Sequence, residues 1–75
     1  MTPEAEAKAP DVWAKLPRNL RRVVCMLRAP TQSETFDLVA RGLAVAKTDD
    51  TLIYTQLGFA VRFHGFQLHQ KSRWN

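Results

Sequence analysis

The stretch LIYTQLGFAVRFHGFQLHQ, residues 52–70, constrains the fold most, because as a helix it is apolar on two faces at once. At 3.6 residues per turn, Phe59, Phe63 and Phe66 fall on one side and Leu57, Val61 and Leu68 on the other. So small a chain has enough other elements to cover only one of these stripes. The aromatic stripe offers more area per residue and is expected to pack inward. Leu57, Val61 and Leu68 are then left as an interface for a second copy of the chain, or for a partner protein. Thr55 is placed to cap this helix near Gln56. Gly65 lies inside it at a cost of roughly 1 kcal/mol relative to alanine, so the last turns are expected to fray or bend.

The cover has to come from residues 12–51, in one domain near the size where a single core only just repays chain entropy. Pro17 suits a first helical turn, and Leu20, Val23, Val24 and Leu27 follow at helical spacing. Pro30 ends that helix by disfavouring helical geometry at Ala29. In TQSE, Thr31 and Glu34 form a capping box, with Ser33 as the competing cap. Phe36, Val39, Ala40 and Leu43 continue as an amphipathic stripe over a helix from about Ser33 to Arg41, and Gly42 reverses the chain. Two short runs rich in Val, Ile, Thr and Tyr then flank Asp49 and Asp50, which reads as a hairpin without the glycine of the tightest turns. Residues 1–11 hold two prolines, much Ala and Glu and no large apolar side chain beyond Met1, and are expected to be a flexible tail. The expected class is α+β, in the order helix, helix, hairpin, helix over residues 12–75.

The stretch DLVARGLAVAKTDDTLIYTQLGFAV resembles the end of a winged-helix module. The matching positions are Leu38, Val39, Arg41, Gly42, Leu43, Tyr54, Thr55, Leu57 and Gly58, where a helix closes on Arg-Gly-Leu, a two-stranded wing follows, and Thr-x-Leu-Gly opens the next helix. The resemblance implies that Gly42 turns the chain, Leu43 plugs the core, Tyr54 packs the second strand and Thr55 caps the last helix. It also implies that the helix before the wing faces the DNA major groove. APTQSETFDLVARGLA has room for one helix where the usual module has two, so the resemblance is to a minimal, truncated form of the kind found in small regulatory or phage-type proteins. On that helix, Glu34, Asp37 and Arg41 fall opposite the expected buried stripe, an acidic balance unsuited to phosphates.

Eleven basic and seven acidic residues give a net charge of +4. The first eleven residues carry minus two, which leaves plus six on the rest, a balance that suits a polyanionic partner. Arg18, Arg21, Arg22 and Arg28 lie away from the apolar stripe of their helix and are the expected nucleic-acid contacts, with Lys47 on the hairpin as a fifth. A solvated arginine face flanking the core is the plainer alternative. The WN terminus, with Trp74 beside Lys71 and Arg73, is a candidate contact, whereas Trp13 is expected in the core.

Chemistry is not expected. His64 and His69 stand about 140° apart on one helix and have no carboxylate or thiolate nearby to complete a metal set. No nucleophile triad or glycine-rich phosphate loop is present, and no cofactor is implied. Cys25 is the sole cysteine, either a small buried hydrophobe or, if exposed among arginines, a reactive thiol. No apolar run reaches the roughly 18 residues a membrane span needs, and the acidic start is unlike a secretory signal, so a cytoplasmic protein is expected. The expected function is that of a small non-enzymatic regulator binding duplex DNA. The alternative is a phage-type modulator or inhibitor that docks on a larger host enzyme or polymerase through a protein surface.

Overall fold

The computed structural model describes residues 2–47 and 51–74, with side chains as far as His69. Its elements are α1 (Pro3–Lys15), α2 (Arg18–Val24), α3 (Gln32–Ala40), β1 (Ala44–Ala46), β2 (Leu52–Tyr54) and α4 (Gln56–Trp74). The class is α+β, with one antiparallel two-stranded hairpin and four helices among the described residues. Among the described residues no helix is long and apolar enough to cross a membrane.

The first correction is α1, which occupies most of the expected tail. Thr2 caps it, its hydroxyl accepting the Ala5 amide at 3.2 Å, Pro3 opens it, and Glu4 and Glu6 stand in the first turn, where the helix dipole favours carboxylates. Ala5, Ala9 and Trp13 then recur every fourth residue and are all buried, the main helix pairing being α1 on α4. Two of the three buried positions are alanines, which form helices well but carry little hydrophobic signal, so the stripe does not stand out in the sequence.

The second correction concerns which face of α4 is inside. Val61, Ala60 and Gly65 are buried, whereas Phe59, Phe63 and Phe66 are 43, 52 and 41% exposed. The expected interface therefore divides: Val61 is a core residue, Leu57 is half-buried against the core, and Leu68 alone is exposed. Gly65 explains the choice. The Trp13 indole lies so close to it that a Cβ there would stand 2.5 Å from Trp13 Cη2 and 2.9 Å from Cys25 Sγ. A helix faced with small side chains, as α1 is, packs closely only on another small-residue surface, and α4 presents that surface beside Val61 and not along the phenylalanines.

The helix ends are the most locally determined part of the fold. Thr31 and Glu34 form the complete capping box, Thr31 Oγ1 accepting the Glu34 amide at 3.2 Å and Glu34 Oε1 accepting the Thr31 amide at 2.9 Å. α3 closes with paired bonds, Leu43 N–H to Leu38 O and Gly42 N–H to Val39 O, around Gly42 at φ 77°. α2 closes the same way, Leu27 N–H to Arg22 O and Met26 N–H to Val23 O, but here the left-handed residue is Met26 at φ 62°. That closure comes well before Pro30 and turns Leu27 out to solvent, against its expected place in the stripe.

The hairpin pairs Ala44 with Tyr54, Val45 with Ile53 and Ala46 with Leu52. Its tip, with Asp49 and Asp50, lies outside the described residues. At the junction into α4, Thr55 Oγ1 donates to Gly42 O at 2.7 Å and accepts the Gly58 amide at 3.1 Å. A Cβ at Gly58 would stand 2.1 Å from Leu43 O, so this residue is glycine because the strand backbone passes against it. Gly42, Leu43, Thr55 and Gly58 thus interlock as one unit.

Candidate nucleic-acid interface

α3 does not turn the expected face inward. Leu38 and Glu34 are buried, while Phe36 and Val39 are exposed, Phe36 at 66%. A glutamate can occupy the inward position because every side of its carboxylate is satisfied. Arg28 donates from both terminal nitrogens, the Nη1 bond to Glu34 Oε1 being 2.7 Å, and Asn19 Nδ2 donates to Oε2 at 2.8 Å. With the Thr31 amide these donors hold the Glu34 carboxyl well below the usual carboxylate range, the Arg28 hydrogen bonds contributing most. Asp37 pairs with Arg41 Nε at 2.8 Å. The outward face of α3 is therefore Gln32, Ser33, Phe36, Val39 and Ala40, with no unpaired carboxylate.

The five basic candidates separate by what they already hold. Arg21 donates from Nε and Nη2 to Trp13 O at 3.1 and 2.9 Å, and its guanidinium lies 5.0 Å from the Trp13 ring, so it caps α1. Arg28 is committed to Glu34. Arg18 and Arg22 are exposed and make no hydrogen bond or ion pair among the described residues. They face two adjoining open hollows of about 410 and 400 Å³. The first is lined also by Trp13, Leu27 and His69, the second by Asn19 and Arg28. Because Asn19 and Arg28 both bond Glu34, this arginine ledge borders the first turn of α3. Lys47 is exposed at the far end of β1 and lines neither hollow.

One basic residue of structural importance has little signal in the sequence. Arg62 on α4 donates from Nε to Val24 O at 2.7 Å, and its guanidinium stacks 4.3 Å from the Tyr54 ring. Tyr54 in turn donates its hydroxyl to Val23 O at 3.3 Å, so two side chains from distant elements cap α2. The one available hint is an arginine three residues after an aromatic, Phe59, on a helix otherwise uncharged from Gln56 to His69.

Cys25 is buried against Gly65, and burial pushes its thiol pKa up, opposed by Arg62. The fold thus makes it a core residue, as the plainer sequence reading had it. Among the described residues no group of three or more His, Cys, Asp or Glu side chains is placed to hold a metal ion. The Trp74 side chain, a candidate contact, lies outside the described residues. No family model matches the chain, and no curated protein or solved structure is measurably similar to it.

Proposed function

We propose that the chain is a small winged-helix-like regulator that binds duplex DNA, with α3 toward the major groove and Arg18, Arg22 and Lys47 on flanking phosphates. The observation that carries the reading is the inward, fully bonded Glu34, which leaves the outward face of α3 free of unpaired carboxylates beside two unengaged guanidinia. The helix α1 adds support, because with it three helices precede the hairpin instead of two. Gln32 and Ser33 supply hydrogen-bonding groups for base edges, and Phe36 an apolar surface for a thymine methyl. The test is fluorescence anisotropy against random and enriched duplexes at several salt concentrations. Arg18→Ala and Arg22→Ala are each expected to reduce the salt slope by about 1, whereas Gln32→Ala is expected to alter sequence preference. Binding that is unaffected by both arginine substitutions would overturn the reading.

A second reading, a modulator that works through a protein surface, is favoured by the exposed phenylalanines of α4. Around Phe63, the stripe runs Gln56, Phe59, Phe63 and Phe66, with no charged residue among the four. Such an uncharged aromatic seam is suited to pairing with a second copy. Sedimentation equilibrium distinguishes the outcomes: a dimer supports self-pairing, and a monomer at high concentration leaves the face to a different protein.

A further inference from the structure

Where α1 packs on α4, the two helices leave a hollow unfilled between them. It is open, about 190 Å³ in volume, and lined by Ala60, Phe63, His64 and Gln67 of α4 and by Glu6 and Ala9 of α1. The four α4 residues stand at i, i+3, i+4 and i+7, the spacing that forms a hole for one side chain of a facing helix. α1 brings only the methyl of Ala9 and the exposed Glu6 to this hole, and neither fills it. The volume lies below the roughly 300–1,000 Å³ of small-molecule pockets and well above the roughly 30 Å³ of a water, which is the range of a single side chain. Ala9 and Ala60 are buried and give the hole an apolar floor, whereas Glu6 and Gln67 are exposed at its rim. Phe63, 52% exposed, is both a wall of the hole and a projection beside it.

We propose that α4 pairs with α4 of a second copy, the Phe63 ring of each protomer entering the hole of the other over Ala9 and Ala60. The inference rests on the self-pairing reading of the phenylalanine face and adds the seat of the contact. A second copy is the occupant because hole and projection lie side by side on one helix, so a two-fold axis sets the projection of each copy against the hole of the other. Residues near such an axis meet their own kind, and the row Gln56, Phe59, Phe63 and Phe66 carries no charge to repel its copy. The seat is separate from the DNA reading, since none of Arg18, Arg22 and Lys47 lines the hole.

The test combines sedimentation equilibrium of the full chain with isotope-filtered NMR on a mixture of labelled and unlabelled protein, which reads only contacts between copies. Contacts are expected from the Phe63 ring of one protomer to the Ala9 and Ala60 methyls of the other. Phe63→Ala removes the projection and is expected to weaken dimerisation at least about thirtyfold while the circular dichroism spectrum stays parent-like. A chain that remains monomeric at millimolar concentration overturns the self-pairing reading and the seat together. A dimer whose contacts between copies lie elsewhere, or one that Phe63→Ala leaves at parent strength, overturns the seat alone.

Discussion

Replacing Gly65 with alanine sets two known effects against each other with opposite signs. Glycine inside a helix is less favourable than alanine by about 1 kcal/mol, so secondary structure alone expects Gly65→Ala to stabilise the chain. The fold expects the reverse. The new methyl would sit 2.5 and 2.6 Å from Trp13 Cη2 and Cζ3, roughly 1 Å inside the optimum for carbon contacts. The indole has little room to yield, because Arg21 covers its face and the His64 ring meets it at 72°, 6.3 Å between centroids. Overpacking by one methyl costs about 1–3 kcal/mol, and a gap of about 0.5–1 Å opened between α1 and α4 would forfeit a quarter to a half of each contact at Ala5 and Ala9. The net expectation is a loss of about 1–2 kcal/mol, or a melting point lower by roughly 5–15 °C for a domain of this size. Urea unfolding in a Trp74→Phe background, which leaves Trp13 as the sole indole, measures the loss and reports on α1 through the fluorescence maximum. A midpoint equal to or above that of the parent refutes the packing of α1 on α4 described above.

Met26→Gly relieves a left-handed side-chain residue at the end of α2 and is expected to raise stability by about 0.5–1 kcal/mol after the added unfolded-state entropy of glycine, read by the same unfolding assay. Glu34 has a depressed folded-state pKa, so the stability it contributes is complete above its unfolded value of about 4.3 and is lost as pH falls below it. Glu34→Gln is therefore expected to flatten the acid limb of a stability profile between about pH 2 and 5, and an unchanged limb would contradict the Arg28 and Asn19 bonds. Val61→Glu places a carboxylate at a fully buried position and is expected to prevent folding, whereas Phe63→Glu is expected to fold with a parent-like circular dichroism spectrum and to be monomeric.

Features decided within a few residues were legible in the sequence. The Thr31 box, the left-handed Gly42, the hairpin and the Thr55 cap all follow from local backbone chemistry, and each is present. The features that escaped depend on contacts between distant segments. The sequence shows two apolar stripes on α4 of comparable weight, and only the small side chains of α1 decide that Val61, and not Phe63, faces the core. α1 itself is hidden because alanine every fourth residue is a packing signal only when a partner helix is known. The site was legible as a group of residue types but not as charges: nothing in the sequence distinguishes Arg22, which is unengaged, from Arg21, whose partner is a backbone carbonyl eight residues earlier.

That distinction bears on how basic this surface is. With helices of seven to thirteen residues before the hairpin, helix ends form a large share of the backbone, and local caps do not satisfy them all. Arg21 at α1 and Arg62 with Tyr54 at α2 complete the carbonyl ends from other elements, and Arg28 neutralises the buried Glu34 carboxylate. A guanidinium held this way keeps its formal charge but cannot move to a phosphate without uncapping a helix or stranding Glu34. If all five expected contacts met phosphates, the slope of log K against log salt would be about −4.5, whereas Arg18, Arg22 and Lys47 alone give about −2.7. A measured slope near the larger value would mean that Arg21 and Arg28 leave their partners on binding. A slope near the smaller one would mean that the caps survive and that the unengaged cations carry the phosphate contacts.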